Sequence, residues 1–264
     1  MTRAPAPVSR RLCVGLALAI VALAGCGSST IPATTTAPLP PPAPIPAPVP
    51  GDSLVAQAAQ RSVAVFARPG AARPAESLAS PNPYGFRRLF LVRRMVPGWL
   101  DVYLPMRPNG VTGWVRRQDV ALVPDPYSLV IDLRRHRITV RRRGLVIDRA
   151  PIGVGQAVTP TPSGVYFLTE LFRLTDAGGP YGPYGFGLSA YSNVLHQFAG
   201  ADGQIGIHGT NDPAGIGSDV SHGCIRMANT EITRLARLLP LGTPVRIVRS
   251  AAPASPPALD STRP

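Results

Sequence analysis

"IHGTNDPAGIGSDVSHGCIRM", residues 207–227, holds two of the chain's four histidines and one of its three cysteines, set among glycines. Just upstream, "QIGIHG" (204–209) alternates apolar and small residues and predicts a strand with His208 at its far end. Cys224 follows sixteen residues later in "SHGC", just ahead of a predicted helix. Between them, Asn211, Asp212, Pro213 and the glycines are turn formers. Such a loop can double back and bring Cys224 near His208.

A cysteine needs such a neighbour to do chemistry. The thiolate is the nucleophile, and an unperturbed thiol titrates at about 8.5. A histidine within hydrogen-bond reach can take the proton, giving a Cys–His pair. Gly223 has no side chain to block a substrate carbonyl, so the amides of Gly223 and Cys224 are candidate oxyanion donors. Arg226 can orient a carboxylate or hold the loop, and Ser221 suits a turn. The chief rival is a metal site from His208, His222 and Cys224, which has three ligands and no evident fourth.

These residues resemble the motif of the L,D-transpeptidases of bacterial cell walls, the YkuD-type catalytic domain. That motif is a His, a gap of similar length, then Ser/Thr-His-Gly-Cys followed one residue later by Arg or Asn. The match falls on His208, Ser221, His222, Gly223, Cys224 and Arg226, and "TPTPSGVYFL" (159–168) is similar to the family's Thr-Pro-x-Gly strand opening. The resemblance covers roughly residues 126–249. It implies that Cys224 attacks the carbonyl of the third residue of a peptidoglycan tetrapeptide stem and expels D-alanine. An amine of a neighbouring stem then takes the acyl group, giving a 3→3 cross-link. His208 would be the general base and acid, steered by a carbonyl such as that of Gly209, and His222 would shape the oxyanion pocket. No cofactor or metal is implied. Hydrolysis of the L,D-carboxypeptidase type shares the acyl-enzyme and stays open, as does a non-enzymatic wall-binding lipoprotein.

Moving outward, "GGPYGPYGFGLSAYS" (178–192) reads as a glycine-rich loop. Tyr181, Tyr184 and Phe186 are candidates to cover a stem peptide, with Gly209 beside them. From Tyr127, "SLVIDL", "RITVRR" and "LVIDRAPIGVG" predict a strand meander, with His136 in its first turn and without a chemical role. One helix is predicted from Thr230 to Leu239, N-capped by Asn229, with Ile232, Leu235, Ala236 and Leu239 facing the core. Residues 52–123 carry short β-like alternations, and "VTGWV" (111–115) resembles the end of bacterial SH3-like modules. The expected fold is mainly β: an L,D-transpeptidase-type β-sandwich with at least one packed helix over 124–249, after a small SH3-like β-barrel over 52–123.

The ends of the chain bear on location. Arg10 and Arg11 precede "LCVGLALAIVALAGC", a basic region, a short apolar run and a small-residue end. Leu23-Ala24-Gly25-Cys26 resembles a bacterial lipobox, so residues 1–25 are expected to be a lipoprotein signal peptide and Cys26 the lipidated residue. Cys13 leaves with the signal, and only Cys224 remains as a thiol. Residues 26–51 are a proline-rich linker, and 250–264 a disordered tail. The chain has 27 basic and 14 acidic residues, a net charge of +13. Losing Arg3, Arg10 and Arg11 takes that +13 to +10. This charge suits an anionic wall or headgroup surface. No nucleic-acid motif is present, so nucleic acid is excluded as a partner. The expected partners are stem peptides and, through the anchor, a membrane. The expected location is outside the cytoplasmic membrane, at its outer face or in the periplasm or wall space; oligomeric state is not legible.

Overall fold

The computed structural model describes residues 49–197 and 201–249. The expected signal peptide, Cys26, most of the expected proline-rich linker and the expected tail lie outside them.

The first region is antiparallel. Its strands are β1 (Ser53–Ala58), β2 (Ser62–Val65), β3 (Glu76–Ala79), β4 (Leu89–Val96), β5 (Trp99–Tyr103), β6 (Thr112–Arg116) and β7 (Val120–Asp125). Five form a sheet in the order β6-β5-β4-β1-β7, and β2 and β3 make a separate hairpin. Phe66, just after β2, bridges to Trp114 on β6 and brings the hairpin to the sheet. Leu54, Phe90, Val102 and Val115 fill the core of this region.

The second region carries β8 (Tyr127–Asp132), β9 (Arg137–Arg142), β10 (Leu145–Pro151), β11 (Val154–Gly155), β12 (Gly164–Arg173), β13 (Tyr184–Tyr191), β14 (Gln204–His208), β15 (Asp219–Ser221), β16 (Ile225–Arg226), α1 (Asn229–Leu238) and β17 (Pro244–Val248). Eight form one sheet, β10-β9-β8-β17-β12-β13-β14-β16, and β11 pairs with β15 apart from it. The meander and "VRIV" appear as β8, β9, β10 and β17, and the fold is mainly β with one α-helix among the described residues. His136 closes the β8–β9 turn in the left-handed region (φ 46°), with Nε2 2.8 Å from Asp219 Oδ1. Helix α1 buries Ile232, Leu235 and the following Leu239 in the core of this region, while Ala236 packs at its margin.

Two expectations are corrected. Ala228, not Asn229, precedes the helix as its cap. The Asn229 amide is engaged elsewhere: its Oδ1 accepts the Thr210 N–H at 2.8 Å and so ties the helix start to the exit of β14. Residues 178–192 are not one loop, because 184–191 are strand β13 at the heart of the sheet. Gly187 in this strand is a site of close packing: a Cβ there would collide with the Glu170 carboxylate.

Strand β1 is buried on both faces. Its even positions enter the first core, while Val55 turns the other way, onto Leu89, Leu91 and Phe167 of β12. Gly242 (φ +99°) closes this seam, since a Cβ there would lie 2.4 Å from Val55 Cγ1. Phe167 is the large side chain of the seam and is fully buried. Phe167→Ala is expected to cost about 3–5 kcal/mol in stability, read from the denaturant midpoint. A loss under about 1 kcal/mol would mean that the seam contributes little.

Candidate active site

Strands β14 and β16 run parallel, with Ile207 opposite Ile225 and His208 opposite Arg226. Both isoleucines are fully buried. Side chains alternate across a strand, so the flanking positions, His208 on one strand and Cys224 and Arg226 on the other, face the opposite side. The Gly206 N–H donates to Cys224 Sγ at 3.4 Å, which fixes the sulfur against β14. The polar return loop thus does what its composition suggested.

The "SHGC" turn is held by hydroxyl groups. Ser221 Oγ donates to the Cys224 carbonyl at 2.5 Å and accepts the Gly223 N–H at 3.1 Å. The Gly223 amide, expected as an oxyanion donor, is therefore committed inside the turn, which leaves the Cys224 amide as the candidate from that pair. Gly223 is needed for another reason: its φ is +121°, and a Cβ there would lie 2.9 Å from Ile205 Cδ1. From below, Thr161 Oγ1 donates to the Gly223 carbonyl at 2.8 Å, and Thr159 Oγ1 to that of Ser221 at 3.3 Å. The "TPTPSG" stretch is thus a brace for the turn as well as a strand opening. The sequence offered no signal for these hydroxyls beyond the resemblance.

His208 is only 6% exposed. Its Nδ1 lies 2.6 Å from the Gly209 carbonyl. A carbonyl can only accept, so Nδ1 carries the hydrogen and Nε2 keeps a lone pair. Burial pulls the imidazole down to about 4, and the Arg226 charge adds to that, while the Gly209 bond opposes it. The ring is neutral near pH 7. Burial pushes the Cys224 thiol up, with the Gly206 N–H and Arg226 acting the other way. The resting pair is thus neutral thiol and neutral imidazole, not a preformed ion pair.

Two clefts meet at Tyr181, Gln204, Ile205, His208 and Cys224. The first, about 550 Å³, is polar on its far side, where Ser192, Ser221, the exposed His222 and Arg226 line it. The second, about 660 Å³, is walled by Tyr84, Phe172 and Leu174, with Gly185 and Gly187 in its floor. Tyr181 meets the His208 ring edge-on, with centroids 4.9 Å apart, and is the aromatic that flanks the imidazole. Of the other two aromatics, Phe186 is 2% exposed in the core yet contributes to the lining of the second cleft, and Tyr184 packs at the margin of the same core. Gly209 serves the imidazole through its carbonyl. Among the described residues, no three His, Cys, Asp or Glu side chains converge to hold a metal ion.

The first region supports the cleft rim, which the sequence did not reveal. Arg107 donates to the carbonyls of Ser192 (2.5 Å), Leu195 (3.1 Å) and Asp202 (2.9 Å) and lies over the Tyr191 ring. Asn109 pairs with the Tyr191 backbone in both directions, at 2.6 and 2.8 Å.

Alkylation by iodoacetamide reads the thiol directly. Without substrate, the Cys224 rate is expected to rise only above the ordinary thiol range, because burial disfavours the thiolate. A midpoint between pH 4 and 6 would reveal a standing thiolate–imidazolium pair and overturn the neutral resting state.

The L,D-transpeptidase catalytic domain (YkuD) family matches residues 126–247. The YkuD protein of Bacillus subtilis (strain 168) is 34% identical over 152 residues, 55% of this chain and 84% of that protein. Its Bacillus licheniformis namesake is 36% identical over 122 residues, 46% of this chain and 66% of that protein. The ErfK/SrfK protein of Salmonella typhimurium (strain LT2) is 32% identical over 196 residues, 67% of this chain and 60% of that protein. With the site on adjoining parallel strands and the family's match spanning it, the chain belongs to the YkuD family of L,D-transpeptidases.

Proposed function

We propose that the protein is a peptidoglycan L,D-transpeptidase that uses Cys224 as its nucleophile and forms 3→3 cross-links between stem peptides. The observation that carries this reading is that a thiol and a carbonyl-held imidazole line the same two clefts where these meet. A transferase acting on two peptides needs two approaches to one sulfur.

The chemistry follows from the protonation states. As a donor stem seats, Nε2 of His208 takes the thiol proton while Sγ attacks the carbonyl carbon of the third residue. The Cys224 amide donates to the developing oxyanion. The tetrahedral centre collapses, the C–N bond breaks, and His208 returns the proton to the departing D-alanine amine. A thioester remains. The acceptor amine then attacks it, gives its proton to Nε2 and becomes the new amide, and the sulfur leaves as thiol. Because His208 titrates near 4, the base is available across the neutral range without an ion pair. His222 and Arg226, which line the first cleft, would meet the donor's carboxylates.

The location is part of the same reading. A lipidated Cys26, the proline-rich spacer and the basic body would hold the catalytic region beside the wall, outside the cytoplasmic membrane. The 52–123 region is carried as an SH3-like module.

The purified protein, given tetrapeptide and a labelled D-amino acid, is expected to exchange the terminal residue, seen by mass spectrometry. Cys224→Ala should abolish exchange, and His208→Gln should slow it by about 10²–10⁴-fold. Exchange retained by Cys224→Ala would refute the nucleophile. Release of D-alanine without exchange would make the enzyme a hydrolase.

A further inference from the structure

The second cleft is completed by a residue from outside the matched catalytic segment. Tyr84 sits in the connection between β3 and β4, far in sequence from residues 126–247, yet it lines the cleft that reaches Cys224. Its placement is built. Asn82, 6% exposed, accepts the N–H groups of Tyr84 (3.1 Å) and Phe86 (2.9 Å) on Oδ1 and so folds the turn around itself. Its Nδ2 donates to the buried Glu170 carboxylate on β12 at 2.5 Å. The same carboxylate receives Gln204 Nε2 at 2.9 Å, and Gln204 lies in both clefts. One buried carboxylate thus sets the Tyr84 turn and the cleft floor in a common frame. The edges of Tyr84 and Phe86 meet Phe172 at 5.8 and 5.4 Å, which fixes the height of the wall. Tyr84 itself stays 41% exposed, so its ring retains surface for a ligand.

The lining defines what fits. Apart from His208, this cleft offers no ionisable group other than the thiol and the tyrosine hydroxyls; its walls are aromatic and aliphatic, with glycine backbone below. Arg226 and His222, the groups proposed to meet carboxylates, lie in the other cleft. We infer that Tyr84 is a substrate-contacting, specificity-determining residue that holds an uncharged, aliphatic stretch of a stem peptide against Cys224. This rests on the proposed peptide substrate. It makes the N-terminal region a working wall of the site.

The test separates binding from turnover. Tetrapeptide affinity is measured by calorimetry on the full chain carrying Cys224→Ala, with and without Tyr84→Ala. Removing the ring is expected to weaken binding about tenfold, the size of one aromatic contact. Tyr84→Phe should restore the affinity, since the ring and not the hydroxyl makes the wall. In the Cys224 background the exchange KM should rise by the same factor for Tyr84→Ala. Unchanged affinity in Tyr84→Ala would overturn the inference, as would a Tyr84→Phe variant as weak as Tyr84→Ala. If the wild-type chain binds tetrapeptide but exchanges nothing, the transfer reading fails while this inference stands or falls on the binding data.

Discussion

The site depends on the parallel pairing of β14 with β16. Ile207 and Ile225 face each other and are fully buried, so the alternate positions must turn the other way. That single registration puts His208, Cys224 and Arg226 on one face. A slip of one residue would send the sulfur and the imidazole into the core and the isoleucines into the cleft. The apolar burial of two side chains thus positions the polar chemistry beside them. The Gly206 N–H on the sulfur and the Gly209 carbonyl on the imidazole then fix orientation within that registration.

Burial also sets the charge states, and with consequences for stability. His208 titrates near 4 when folded against 6.5 when unfolded. As pH falls through that window the unfolded chain takes up a proton that the folded chain refuses, so stability drops toward acid. Asp125, between the two regions, is raised by desolvation from 3.8 to about 6, although Thr243 and the Tyr127 N–H donate to it. There the folded chain holds the extra proton, so stability drops as pH rises from 3.8 to 6. Between about 4 and 6 the two effects oppose each other. A cleft that demands a neutral imidazole thus coexists with a seam that favours a protonated carboxyl.

What was legible in the sequence was local or carried by a dense motif. The β8 and β9 strands follow period-two alternation, and "SHGC" after a histidine-ended strand reveals its own doubling back. What was hidden depends on partners distant in the chain. Asn229 has the composition of a cap, but its side chain meets Thr210 nineteen residues away, and tertiary contact overrides the local preference. The glycines of 184–191 mimic a loop because single-sequence reading cannot distinguish a flexible glycine from one pressed against a buried carboxylate. The Gly223 amide looked available because nothing in "SHGC" shows that the Ser221 hydroxyl folds over it.

A second set of contacts hidden from the sequence runs from loops of the N-terminal region to the cleft. On one side Arg107 reaches three carbonyls on the cleft rim with one guanidinium and covers Tyr191 with its flat face. A lysine ammonium, a point charge on a flexible stem, offers neither the planar fork nor the stacking surface. On the other side Asn82 reaches the buried Glu170 behind Gln204. A third attachment is the buried seam of Val55, Leu91 and Phe167. A region joined only by a flexible tether would make no such contacts. Three attachments of different chemistry, apolar, charge-dipole and amide-carboxylate, resist different displacements, and together they leave the two clefts a single geometry around the sulfur.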